Sequence, residues 1–319
     1  MKHNVKITIV ILSMFLLTQF IGLYVVDNYS NQKVIGGEIT KINATKILPY
    51  GMEIPEIKEE KDYTTNFVSI LMAFVIAIAI LFTLTRFKVK FVLKFWFFFV
   101  TILALGISFN AFLPVMKYAS LIALVFAVPL AIGKIYGRNF LAHNFSELLI
   151  YPGIAAVFVP LLNLTSIIIL LVLISIYDMW AVWKSKIMQK MAKFQMNELK
   201  IFGGFYVPYA SKKQKQKIKK IKQQIKEKKL SKAQTNKKSM KINIAILGGG
   251  DIIFPLITAG IVLKTWGIWP SIGIIFGALI GLGSLLLFSD KKKFYPAMPF
   301  ISSGIFLAML VSWLILKVF

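Results

Sequence analysis

The chain contains no cysteine, which excludes disulfides, thiolate metal sites and cysteine nucleophiles together. Histidine is almost as scarce. Only His3 and His143 occur, and neither lies in the middle of an apolar run, so no imidazole metal site is expected. No motif asks for a cofactor. Acids are few, 13 Asp+Glu against 38 Lys+Arg, for a formal net charge of +25. A balance of that size points to nucleic acid or to a membrane surface. What the chain has in excess decides between them. Hydrophobic residues make up 57% of its 319 residues, and the mean hydropathy is +0.73. Soluble domains sit near ~45–50% apolar, so a water-soluble fold is not expected.

A bilayer-spanning helix needs about 20 mostly apolar residues. About nine such runs can be read along the chain: Ile7–Val26, Thr64–Thr85, Phe91–Leu113, Tyr118–Ile135, Ser146–Val159, Leu162–Val182, Ile242–Leu263, Trp266–Phe288 and Ala297–Phe319. The expected class is therefore an all-α polytopic membrane protein. The first run follows a short basic segment, but it is long for a signal peptide and no small-residue cleavage site follows it. It is read as a retained first helix. Three regions result: residues 1–183 with six spans and an outer loop at 27–63, a lysine-rich loop at 184–241, and three further spans in 242–319.

Basic residues set the orientation. With the N-terminus in the cytoplasm, the inner segments hold most of the Lys and Arg, including 19 lysines between Lys184 and Lys241. The short inner segments alone still outweigh the outer ones. The expectation is a multi-pass protein of the cell membrane with its C-terminus outside. The outer segment Asp27–Lys61 is of mixed charge and rich in β-branched residues, suited to a hairpin or to irregular structure. The run Lys212–Lys241 is a Lys/Gln low-complexity stretch, read as a solvated loop held near anionic lipid. It lacks the interleaved aromatics of a nucleic-acid stacking platform, so no nucleic-acid partner is expected.

The 13 acids are unevenly placed. Most lie in the outer segment or the inner loops, and Glu147 sits at the edge of the fifth run. Only Asp178 and Asp251 lie well inside apolar runs. A carboxylate at membrane depth costs several kcal/mol and is a functional candidate by default. Asp178 is six residues short of the basic end of the sixth run, about 9 Å at the helical rise. Asp251 is ten residues into the seventh, about 15 Å at most. Both fall in the cytoplasmic half, where they can meet. Asp251 follows Gly248-Gly249-Gly250 and precedes Pro255. Glycines permit close approach of another chain, and Pro255 removes the hydrogen bond to the Asp251 carbonyl. Irregular backbone at this depth lines a cavity or is buried in protein. Two adjacent carboxylates share a proton. One then acts as general base on water while the other polarises a carbonyl, chemistry that needs no metal, Cys, Ser or His.

These residues resemble a family, the presenilin and signal-peptide-peptidase intramembrane aspartyl proteases, in particular their archaeal homologues. Tyr177-Asp178 resembles the family's Tyr-Asp in the sixth helix. Gly248-Gly249-Gly250-Asp251 resembles Gly-x-Gly-Asp in the seventh. Pro296-Ala297-Met298 resembles the Pro-Ala-Leu that opens the ninth, with Met in place of Leu. The order and spacing agree, with a long inner loop between the aspartates. The resemblance implies an intramembrane aspartyl endopeptidase with Asp178 and Asp251 as the catalytic pair. Tyr177, Gly248 and Gly250 would support them, and Pro296, Ala297 and Met298 would hold the substrate. It also implies transmembrane-helix substrates and no obligatory partner subunits. The stretch Ile201–Tyr209, apolar and aromatic within the basic loop, is a candidate edge for pairing with an unwound substrate; the alternative is an interfacial patch.

Other readings remain at this stage. Paired intramembrane aspartates and a Gly/Pro-broken helix also describe a proton- or cation-coupled transporter, although no repeat is visible. Prepilin-type peptidases share Gly-x-Gly-Asp but usually place Lys two residues after the Asp, where this chain has Ile253. A noncatalytic scaffold would require both aspartates to be structural.

Overall fold

A computed structural model of the chain describes residues 5–30, 32–35, 38–41, 46–53, 59–87, 89–137, 139–185, 201–209, 243–289 and 295–318. Nine helices appear among them: α1 Val5–Tyr29, α2 Glu60–Arg86, α3 Lys90–Phe112, α4 Ala119–Ile135, α5 Phe140–Phe158, α6 Leu164–Trp180, α7 Gly250–Trp266, α8 Ile268–Phe288 and α9 Met298–Val318. Seven described helical stretches are long and apolar enough to cross a membrane; α4 and α7, at 17 residues each, are shorter. The described residues also form two antiparallel hairpins, β1 Gln32–Ile35 with β2 Glu38–Lys41, and β3 Gly204–Tyr209 with β4 Asn243–Gly248. The segment between α1 and α2 thus contains a hairpin. The lysine-rich stretch falls mostly on 186–200 and 210–242, outside the described residues.

The shortest spans are not the least important. Helix α7 lies at the centre, in contact with α1, α5, α6, α8 and α9. Its Ile252, Leu256, Ala259, Ile261 and Val262 are fully buried. By contrast, α2 is apolar over most of its length beyond Asn66 and little buried, as a helix facing lipid is. Helices α8 and α9 pack backbone to backbone. A Cβ on Gly277 or on Gly304 would run into the other residue's carbonyl, the close approach that small residues permit in membranes.

Helix ends in an apolar medium need partners for their unpaired backbone groups. The α5 helix ends in a 3₁₀ turn, Val159–Leu161. The buried Lys264 of α7 donates to the carbonyls of Val159 and Leu162, each at 2.8 Å. Asn163 caps α6 by accepting from Ser166 N–H at 2.8 Å.

The seventh span differs most from the sequence expectation. Residues 243–248, taken as the start of the seventh helix, form strand β4, and α7 begins only at Gly250. The burial alternates with period two: Ile244 and Ile246 are exposed while Ala245 and Leu247 are buried. A short, wholly apolar run does not distinguish strand from helix by composition. Asp251 therefore stands in the first turn of α7, and the depth of ten helical residues does not apply to it.

Candidate active site

Three helix ends converge. Asp178 lies in the last turn of α6, which is followed directly by a π-helical turn, Ala181–Ser185; such turns are rare, and those that occur are frequent at functional sites. Asp251 opens α7, and Met298 opens α9. One turn before Asp178, Ser175 donates to Ser302 across 3.0 Å, tying α6 to α9. This brings the N-terminus of α9 onto the aspartate. The Met298 N–H donates to Asp178 Oδ2 at 3.0 Å, and the Ala297 N–H donates to the same carboxylate. Unpaired N–H groups at a helix start are suited to an anion or a strong acceptor. Asp178 is buried, at 5% exposure.

The Asp251 carboxylate folds back over the preceding turn and accepts the Gly248 N–H. A Cβ on Gly248 would stand 3.3 Å from Asp251 Oδ2. The two carboxylates lie close enough to act on each other electrostatically. The sequence-predicted pair is thus brought together, each member oriented by main-chain donors.

The supporting residues sort differently from the expectation. Gly248 does give room beside Asp251. Gly250 does not need to be glycine for space, since a Cβ there would meet only Phe254, at 3.8 Å. The crowded position is Gly249, where a Cβ would lie 2.7 Å from the Tyr151 hydroxyl. Tyr177 points its ring outward, 42% exposed, beside Trp180; the groups that hold Asp178 are those of α9. Pro296, Ala297 and Met298 sit beside Asp178, with Pro296 and Met298 buried, and two of the three engage it through their main chain.

Strand β3 continues into the same turn. The pairing runs from Tyr209↔Asn243 to Gly204↔Gly248, and the Gly249 N–H donates to the Gly203 carbonyl at 3.2 Å. One face of the hairpin buries Phe205, Ala245 and Leu247. Phe205 meets the Tyr151 ring edge-on. The strand expected within Ile201–Tyr209 is therefore present, paired to β4 on one side.

Several contributors were not singled out from the sequence. Gln19, fully buried on α1, donates to the Ile252 carbonyl at 3.0 Å, beside Asp251. Glu147 is not at a span edge but buried on α5, paired with Lys134. His143 and Asn144 bind the backbone of β3. The signal for Gln19 was present as an isolated polar residue in an apolar run. The contacts of His143 and Asn144 cross more than 60 positions of chain, and that of Glu147 joins two helices, which spacing alone does not reveal.

The sequence model of the family described as signal-peptide peptidase, presenilin aspartyl protease matches residues 39–318. No curated protein matches the chain. Among solved structures, a presenilin family intramembrane aspartate protease in space group C222 aligns with TM-score 0.58 at 20% identity, over 97% of this chain and 99% of that one. A presenilin family intramembrane aspartate protease in space group P2 aligns with TM-score 0.57 at 19% identity, over 96% of each chain. At this identity the structural likeness is one of fold. With a family match over most of its length and apolar helices throughout, this multi-pass membrane protein belongs to the signal-peptide peptidase and presenilin aspartyl protease family, and is an aspartic-type intramembrane endopeptidase.

Proposed function

We propose that Asp178 and Asp251 share one proton and hydrolyse peptide bonds within transmembrane helices of membrane-protein substrates, with water as the nucleophile. The observation that carries this reading is that two carboxylates from different helices lie within electrostatic reach of each other, each beside backbone N–H groups of a helix start or glycine turn. In such a pair one carboxylate takes a proton from water as the other donates to the scissile carbonyl. The pair titrates as a unit. Main-chain donors keep both carboxylates in place through the proton exchange, without a side chain that itself titrates. Ala297 and Met298 hold Asp178, and with Pro296 they border the space for the substrate.

A helix hides its amide groups, so the substrate unwinds before attack and its exposed backbone needs partners. Strand addition supplies them. In an antiparallel pair, alternate residues turn their backbone groups inward and outward. With Gly203 and Gly249 as a bonded pair, Ile244 and Ile246 direct theirs away from β3. Among the described residues no hydrogen bond reaches those groups. The docking edge is thus β4, which leads directly into Asp251, rather than β3.

The chain acts without partner subunits in this reading. Its N-terminus is cytoplasmic and its C-terminus outside, following the basic-residue bias, with the lysine-rich segment against anionic lipid. The test is cleavage of a single-span reporter by the purified protein in liposomes. Asp178→Ala and Asp251→Ala each abolish cleavage while the protein stays folded, and a hydroxyl-bearing mimic of the tetrahedral intermediate inhibits the wild type. Turnover in either variant would overturn the assignment.

A further inference from the structure

The β3–β4 hairpin has two outer edges, and the described residues close the one on β3. On β3 the outward backbone groups belong to residues 204, 206 and 208, the positions opposite Gly248, Ile246 and Ile244. The Asn144 side chain takes two of them at once. Its Nδ2 donates to the Tyr206 carbonyl at 2.9 Å, and its Oδ1 accepts the Tyr206 N–H at 3.2 Å. This is the bond pair that a neighbouring strand would make. His143 Nε2 lies 2.9 Å from the Gly204 carbonyl oxygen, so the tautomer with hydrogen on Nε2 donates there. At the third position the residue is Pro208, which has no N–H to offer.

The closing groups are themselves fixed. His143 and Asn144 are buried in the second turn of α5. The His143 ring packs on Tyr206 with centroids 4.7 Å apart, and Glu147 Oε1 lies 3.6 Å from its Nε2. Glu147 is held in turn by Lys134 of α4. Among the described residues no side chain holds Ile244 or Ile246 of β4 in this way; the Gly248 N–H turns to Asp251.

We propose that Asn144, with His143, acts as a built-in surrogate strand on β3. It leaves the hairpin a single edge for an incoming chain and locks the register of the Gly248–Asp251 turn against α5, so that one substrate bond is presented to the aspartates. Asn144 is a positioning residue that determines where cleavage falls. This rests on the proposal that substrate adds to β4. Strand pairing slips most easily by two residues, because a slip of one exchanges the two faces. Loss of the clamp therefore shifts products by two residues rather than spreading them at random.

The experiment uses the full-length protein in liposomes with a single-span reporter, and reads fragment masses together with kcat and KM. Asn144→Ala is expected to lower kcat at the main site about three- to tenfold with KM changed less than twofold. New fragments should appear two residues from the main cut, at a tenth of the product or more. Asn144→Asp keeps the acceptor for the Tyr206 N–H and is expected to show a smaller fraction of shifted product. If Asn144→Ala does not yield folded protein, Asn144→Ser is read by the same criterion. A single cut site at wild-type kcat in the Ala or Ser variant would overturn the inference. A parallel arm uses wild-type enzyme and a reporter N-methylated at successive amides beside the cut. A rise in KM at alternate positions supports strand addition; an unchanged KM at every position removes that premise, whatever the Asn144 variants do.

Discussion

Gly249→Ala is expected to cut turnover while Gly250→Ala is not, although the sequence motif singles out Gly250. The backbone at Gly249 is ordinary right-handed helix, φ −64° and ψ −33°, so alanine carries no conformational strain there. The difference is space. A Cβ at Gly249 would lie 2.7 Å from the Tyr151 hydroxyl and 3.2 Å from the ring, about 0.7 Å short of ordinary contact at the oxygen. Tyr151 is buried against Phe205 and has little room to retreat, so the glycine turn moves, and Asp251 with it. Overpacking of this kind costs about 1–3 kcal/mol. At about 1.4 kcal/mol per factor of ten, that is roughly five- to 150-fold in kcat if the strain falls on the catalytic geometry. Removing the hydroxyl removes the closest contact, so Tyr151→Phe combined with Gly249→Ala is expected to recover most of the loss. The assay is initial-rate cleavage of a fluorogenic single-span reporter by the four proteins of this cycle, with circular dichroism as a check on folding. Equal activity of Gly249→Ala and Gly250→Ala, or no recovery in the double variant, would refute the steric argument.

Three further outcomes concern the frame around the site. Lys134→Met leaves Glu147 charged and buried without its partner, an expected loss of about 3–5 kcal/mol, whereas Lys134→Met with Glu147→Met is expected to restore most of it; thermal unfolding in detergent reads both. Lys264→Met strips the Val159 and Leu162 carbonyls of their donor, an expected cost of about 1–3 kcal/mol per orphaned group, seen as a lower unfolding temperature with cleavage retained in the cold. Between α1 and α2, burial raises the Tyr50 phenol to about 12, and its hydroxyl donates to the Ser120 carbonyl at 3.1 Å. With the folded value above the unfolded 10.0, that stabilisation is whole below pH 10 and fades as pH rises toward 12, so Tyr50→Phe is expected to flatten the fall in unfolding temperature between pH 9 and 11.5.

The helices were legible because a bilayer asks little more of a span than length and apolarity. Ile7–Val26 and Val5–Tyr29 differ by a few residues at each end, as do most of the other runs and helices. The aspartates were legible for the related reason that an acid inside an apolar run is conspicuous. The seventh run failed because Ile244, Ala245, Ile246 and Leu247 are all apolar, and only the fold shows that alternate ones are buried. The fifth began too late, at Ser146. Its first turns carry His143 and Asn144, polar residues that hydropathy discounts but that the buried edge of β3 requires. Gly249 was passed over as the variable position of a motif. Its constraint comes from Tyr151, a hundred residues away in sequence.

The most direct measurement is a single turnover in water enriched in oxygen-18, with wild-type protein and a single-span reporter in liposomes, read by the mass of the N-terminal product, which carries the new carboxylate. Direct attack by water activated between Asp178 and Asp251 predicts a cut inside the span with one heavy oxygen in every new carboxylate from the first turnover, and no product from Asp178→Asn or Asp251→Asn. Unlabelled carboxylate in the first turnover would show that the aspartate itself had attacked, and labelled product from either variant would show that the pair is not the catalyst.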